Sequence, residues 1–172
     1  MEYTTIEEAQ NALLKWLKEN HHSLDEVKDQ NANFHYEFDY PLGTQKKQRV
    51  IQPKDYPSLV LLLNGVSIAP EHMEKLKEMS EDERDQFYNE IRQELIFSDC
   101  SYDMNLDEAG VARQVQFSYE FYFDTLSKTQ LYRGLLFNYR TLLYFVTKFN
   151  EKFGIPVLDS AEMPIDGDEH AR

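Results

Sequence analysis

Apolar and polar residues repeat with two different periods along this chain, and the switch between them is sharpest between residues 111 and 153. Val115, Phe117, Tyr119, Phe121 and Phe123 occupy every second position, with Gln116, Ser118 and Glu120 between them. Successive side chains of a strand point to opposite faces, so the spacing predicts a strand with one apolar face. Asp124-Thr125-Leu126-Ser127-Lys128 interrupts that pattern, and from about Lys128 to Phe153 the period is helical. Leu135, Tyr139, Leu142, Val146, Phe149 and Phe153 form one seam in steps of four and three. Leu131, Tyr132, Leu136 and Leu143 widen the seam, and Phe137, Tyr144 and Phe145 extend it further. Covering one sheet needs an apolar arc of roughly 100°. This arc is broader, which predicts either packing on the sheet and the first helix together, or a surface left over for a partner. Gly154 and Pro156 end the helix. Gly134 inside it costs about 1 kcal/mol relative to alanine and predicts a close helix–sheet approach.

The remaining elements follow from the same reading. Thr4 and Thr5 ahead of Glu7 and Glu8 have capping-box spacing. Ile6, Ala9, Leu13, Trp16 and Leu17 then predict an amphipathic helix ending near Asn20-His21-His22. Residues 23–32 are polar and read as a connection. Phe34, Tyr36 and Phe38 alternate with His35, Glu37 and Asp39 in a first strand, and Pro41-Leu42-Gly43 marks a turn. A short polar strand runs from Lys47 to Gln52, and Leu59 to Leu63 reads as the most buried strand, stopped by Asn64-Gly65. Pro70 opens a short helix through Met73, Leu76 and Met79, and a second capping box, Ser80 with Glu83, starts another through Phe87, Ile91 and Leu95. Tyr102, Met104 and Leu106 predict a strand that turns at Asp107–Gly110 into the long one. The sum is an α+β domain over residues 1–158, with a five-stranded antiparallel sheet in the order α-βββ-α(α)-ββ-α. N- and C-terminal helices cover the sheet, and an acidic tail occupies residues 159–172.

Composition narrows the function classes more than it identifies one. Eighteen basic and 31 acidic residues give a net charge of −13, a field that repels phosphate backbones and anionic membranes. Nucleic-acid and membrane partners are therefore not expected. The dense basic run Lys46-Lys47-Gln48-Arg49 reads as solvated edge-strand charge. The single cysteine, Cys100, allows no internal disulfide and fits a reducing compartment. No signal-peptide pattern and no apolar run of about 20 residues is present, so a cytoplasmic protein is expected.

Candidate chemistry is sparse. Cys100 lies beside Asp99 and Ser101 without a catalytic signature and reads as a small core residue. His35 and Glu37 share a strand face at a metal-compatible spacing, but a third ligand is missing from the pattern. Asp103, Asp107, Glu108 and Glu120 approach one hairpin, where carboxylates gather by chance on an acidic surface. No glycine-rich phosphate loop occurs. No catalytic residue, cofactor or metal site is assigned.

The run Met104-Asn105-x-Asp107-x-x-Gly110-Val111, followed by Ser118 and by Phe123-Asp124-x-Leu126-Ser127-Lys128, is similar to an archaeal family of uncharacterised proteins assigned the type III secretion chaperone-like fold. The likeness covers about residues 100–150, and Thr125 stands where that family usually has a small residue such as glycine. It implies a helix-covered antiparallel sheet, frequent dimerisation and a binding or chaperone-like role, and it supplies no catalytic residues. The expectation is a non-enzymatic protein-interaction module, chaperone- or adaptor-like, that binds a protein partner or itself as a homodimer. Phe38, Tyr132, Phe137, Tyr144 and Phe145 are its candidate surface. The alternative is a small-ligand binder or enzyme with a pocket between sheet and helices, built on Cys100, His35, Glu37 and Asp103.

Overall fold

The computed structural model describes residues 3–44 and 46–154. The predicted domain end at 158 and the acidic tail at 159–172 lie outside the described residues. Helix α1 spans Ile6–Glu19, and its capping box closes as the spacing requires: Thr5 Oγ1 accepts from the Glu8 backbone N–H while Glu8 Oε2 accepts from the Thr5 N–H. Strands β2 (Ala32–Asp39), β3 (Lys47–Pro53) and β4 (Leu59–Ser67) form an antiparallel meander. Helices α2 (Pro70–Glu78) and α3 (Glu81–Leu95) follow, separated at Ser80, whose side chain and Glu83 form the second capping box. Strands β5 (Ser101–Leu106) and β6 (Ala112–Tyr122) make the predicted hairpin, and α4 spans Lys128–Phe153. Gly154 closes α4 in the left-handed region at φ 63°, donating its N–H to the Asn150 carbonyl, a conformation that costs glycine nothing.

The sheet has six strands, with β1 (Asp25–Glu26) at one edge, in the order β1-β2-β3-β4-β6-β5, one more than the sequence predicts. The extra strand, β1 (Asp25–Glu26), falls in the stretch read as a connection and pairs Asp25 with Glu37 and Glu26 with Tyr36. Two residues carry no readable period, so only the partner strand defines them. A second correction concerns β4, which continues past Asn64-Gly65 because β6 pairs along its whole length, Asn64 with Phe117 and Gly65 with Gln116. A Cβ on Gly65 would lie 3.0 Å from the Val115 carbonyl oxygen, so the residue read as a stop instead admits a close neighbour.

Register places Val60, Leu62 and Val66 of β4 beside Phe121, Tyr119 and Val115 of β6, all buried. They share two apolar clusters with residues of α1, α2, α3 and α4. Arg49, Leu61, Leu63, Ser118 and Glu120 point to the opposite face, since neighbouring residues of a strand diverge. One cluster gathers α1, β2 and the first turns of α4; the other gathers α2, α3 and its last turns. Between the two, along both β4 and α4, lies a buried polar seam. Asn138 Nδ2 donates to Gln48 Oε1 and to the Leu62 carbonyl, and Asn64 Nδ2 donates to the Asn138 carbonyl. Most of the wide apolar arc of α4 is used in this way: the helix touches β4 and β6 beneath it and α1, α2 and α3 beside it.

Candidate functional site

The histidine and cysteine candidates sit on opposite sides of the sheet. Phe34 and Phe38 belong to the helix-side core with Cys100, so His35 and Glu37, one position along, face away from it. His35 Nδ1 lies 3.1 Å from Asp29 Oδ2, and Glu37 accepts from Arg49 Nε at 3.0 Å. His35 is thus held by a carboxylate of the loop before β2, and Glu37 by an ion pair with Arg49 of the neighbouring strand. Cys100 is buried, and burial pushes its thiol above the ordinary value, the opposite of what an attacking thiolate needs. Asp107 shapes its own turn: Oδ1 accepts from the backbone N–H of Ala109 and Val111, and Oδ2 takes Arg113. The Val111 N–H is the main cause that holds this carboxyl below the usual range. Asp103 faces Gln116 across the hairpin, and Glu120 pairs with Leu61 on the other side of β6. Among the described residues no three His, Cys, Asp or Glu side chains converge as metal ligands.

The aromatic candidates separate into core and surface. Phe38 and Phe145 are 0% and 1% exposed, so neither presents a face to a partner. Phe38 packs on His22 and Phe145 on Phe117 and Phe149. Tyr132 is half-buried against the first cluster and donates its hydroxyl to the Trp16 carbonyl, joining α4 to α1. Phe137 and Tyr144 remain, and they face a groove of about 290 Å³ where the end of α3 passes α4.

The groove has two unlike walls. One is the end of α3 and its link to β5, with Glu94, Phe97 and Asp99; the other is α4, with Phe137, Arg140 and Tyr144. Ser98 Oγ and Thr141 Oγ1, 2.9 Å apart, tie the walls together at the floor, and Thr141 also donates to the Phe137 carbonyl. Phe97, which lines the groove, is 87% exposed, and its chain neighbour Ile96 is 71% exposed. Sequence reasoning passed over these two because the helical period ends at Leu95 and the strand period starts at Tyr102. A large apolar residue between periods was the available signal. On α4, Arg133, Phe137, Arg140, Tyr144 and Lys148 follow one another in steps of three and four, a single stripe of the helix. The Arg133 guanidinium lies 5.1 Å from the centre of the Phe137 ring, and Lys148 Nζ lies 5.8 Å from that of Tyr144. These cations cover the ring faces. Burial raises the Tyr144 hydroxyl above its ordinary value.

The sequence pattern of a family described as "Uncharacterized conserved protein (DUF2299)" matches residues 9–149. Among solved structures, an uncharacterised protein from Methanothermobacter thermautotrophicus is 28% identical, with a TM-score of 0.77 over 85% of this chain and 99% of that one. YbjN from E. coli overlaps at a TM-score of 0.47 with 8% identity, over 84% of this chain and 91% of that one. None of the curated proteins compared is similar to the chain.

Proposed function

The chain belongs to this conserved, uncharacterised DUF2299 family, and from that premise we propose that it is a non-enzymatic protein-interaction module receiving a partner at the groove between α3 and α4. The observation that supports this most is the pair Ile96 and Phe97, 71% and 87% exposed, beside a groove walled by Phe137 and Tyr144. Adjacent large apolar residues at such exposure keep water against surface that association would release. Aromatic and arginine side chains are also the types that dominate binding energy at interfaces. The volume, about 290 Å³, lies at the small end for a ligand cleft and suits one or two inserted side chains better than a cofactor. The catalytic alternative has no comparable support, since Cys100 and His35 face opposite sides of the sheet. On this reading the α+β layout serves a chaperone- or adaptor-like role of the type III secretion chaperone-like class, exercised in the cytoplasm, where Cys100 stays reduced.

Photo-cross-linking tests the reading. With a photoreactive amino acid at position 97 of the full chain in its native cytoplasm, discrete adducts of higher mass are expected. The same group at position 86, exposed on α3 away from the groove lining, should give none. Position 97 yielding no adduct, or yielding the same diffuse products as position 86, overturns it.

A further inference from the structure

We infer that the free edge of β5 takes up an extended segment of another protein as a further antiparallel strand, one that alternates apolar and basic side chains. This is a second surface, and the inference does not rest on the groove. The chain treats the two edges of its sheet unequally. On the β2 edge, β1 pairs with Glu37 and Tyr36, Val27 donates its N–H to the His35 carbonyl, and His22 Nδ1 lies 3.0 Å from the Asp39 carbonyl oxygen. That edge is closed from within. β5 forms the other edge, and among the described residues it pairs on one side only, with β6. A strand directs alternate N–H and C=O groups to each side, so half of those on β5 face outward with no strand to meet them. Edges are commonly blunted by lysine, proline, an inward charge or a bulge. From Ser101 to Asn105 there is neither lysine nor proline, and the register with β6 shifts only beyond Asn105.

The side chains of β5 say what the added strand carries. Tyr102 and Met104 are half-buried against the cluster of α2, α3 and the last turns of α4, so the added residues on that face meet apolar surface. Asp103 points the other way and is exposed. Its neighbours Asp99 and Asp107 are taken by Arg133 and Arg113, whereas Asp103 has no hydrogen bond or ion pair among the described residues. A lysine or arginine opposite it completes a cross-strand pair, and an acid there is repelled. The same carboxylate disfavours a second copy, because two-fold pairing of Ser101–Asn105 with itself sets Asp103 against Asp103. The net charge of −13 likewise draws a basic segment and repels an acidic one.

Two short peptides with blocked ends, one alternating lysine and valine and one alternating glutamate and valine, test this on the full chain at physiological salt. The lysine peptide is expected to bind and to slow amide hydrogen exchange in β5, read by NMR. The glutamate peptide should bind roughly tenfold more weakly or not at all. Asp103→Lys, at an exposed position, should keep its circular dichroism and weaken the lysine peptide by roughly fivefold. Methylating alternate amide nitrogens of the lysine peptide should abolish binding in one phase and spare it in the other. Only one side of an added strand bonds to β5, and docking through side chains alone has no such phase. Exchange in β5 untouched by the peptide, affinity unchanged by Asp103→Lys, or the same effect from methylating either phase each overturn the inference. A wild-type chain that dimerises without peptide and thereby protects β5 assigns the edge to a second copy, which also overturns it.

Discussion

At the scale of single residues, Gly134 shows how a local weakness serves packing. It is fully inside α4 yet is the residue least suited to a helix interior apart from proline. The structure supplies the reason: a Cβ there would lie 2.6 Å from Tyr119 Cδ1 and 2.9 Å from Leu62 Cδ1. Both neighbours are buried on the sheet, so neither has room to move aside. Gly134→Ala should gain about 1 kcal/mol of helix propensity and lose about 1–3 kcal/mol to overpacking. The net effect expected is destabilisation by up to about 2 kcal/mol, read from urea midpoints at constant slope. A stabilised variant would show that α4 does not press on β4 and β6 as described. Asn138 is the counterpart, a fully buried polar residue whose amide is spent on Gln48 and on the Leu62 carbonyl. Its position one turn beyond Gly134 puts that amide at the closest part of the helix–sheet contact, where an unmet backbone carbonyl would cost most.

At the scale of elements, helix starts are where sequence and structure agree best, because capping is local chemistry. Both capping boxes close within a few residues, and their acids bear the mark of it. Glu8 is held below the usual carboxylate range chiefly by the Thr4 backbone N–H, and Glu83 chiefly by that of Ser80. A depressed acid favours the folded state when ionised. Its contribution is complete above the unfolded value of about 4.3 and fades as pH falls through the lower folded value. Stability measured by denaturant should therefore decline below about pH 4.3, and Glu83→Gln should flatten that decline, because its amide no longer titrates. An unaltered acid slope in the variant would remove Glu83 as a contributor. Strand ends behave differently. The meander and hairpin follow the period of two, but β1 and the second half of β4 exist only because another strand lies alongside them.

At the scale of the whole molecule, the two apolar clusters and the polar seam between them bind the six strands and four helices of the described residues into one layered body. Protection should follow position in that sheet. Backbone amides of β4 and β6, each flanked on both sides, should exchange only near global unfolding. Those of β1, a two-residue edge strand, should exchange orders of magnitude sooner, as hydrogen exchange with mass spectrometry would resolve. Equal protection of β1 and β4 would contradict the layout. No helix of the described residues is long and apolar enough to cross a membrane. The broad apolar arc of α4 illustrates the limit of pattern reading. Phe137, Tyr144 and Phe145 occupy neighbouring stripes of one helix, and their sequence does not say which stripe α3 covers. The structure buries Phe145 and leaves Phe137 and Tyr144 at a groove. By itself the sequence determined what depends on neighbours within about one helical turn or one strand: the periods, the caps, the glycine stop of α4, and an α+β class with a helix-covered antiparallel sheet. Only the tertiary structure decided the sixth strand, the continuation of β4, the buried amides and the groove beside Phe97. Each of these is set by what lies across the fold, often more than 70 residues away as between Asn64 and Asn138. A local period carries no record of such a neighbour.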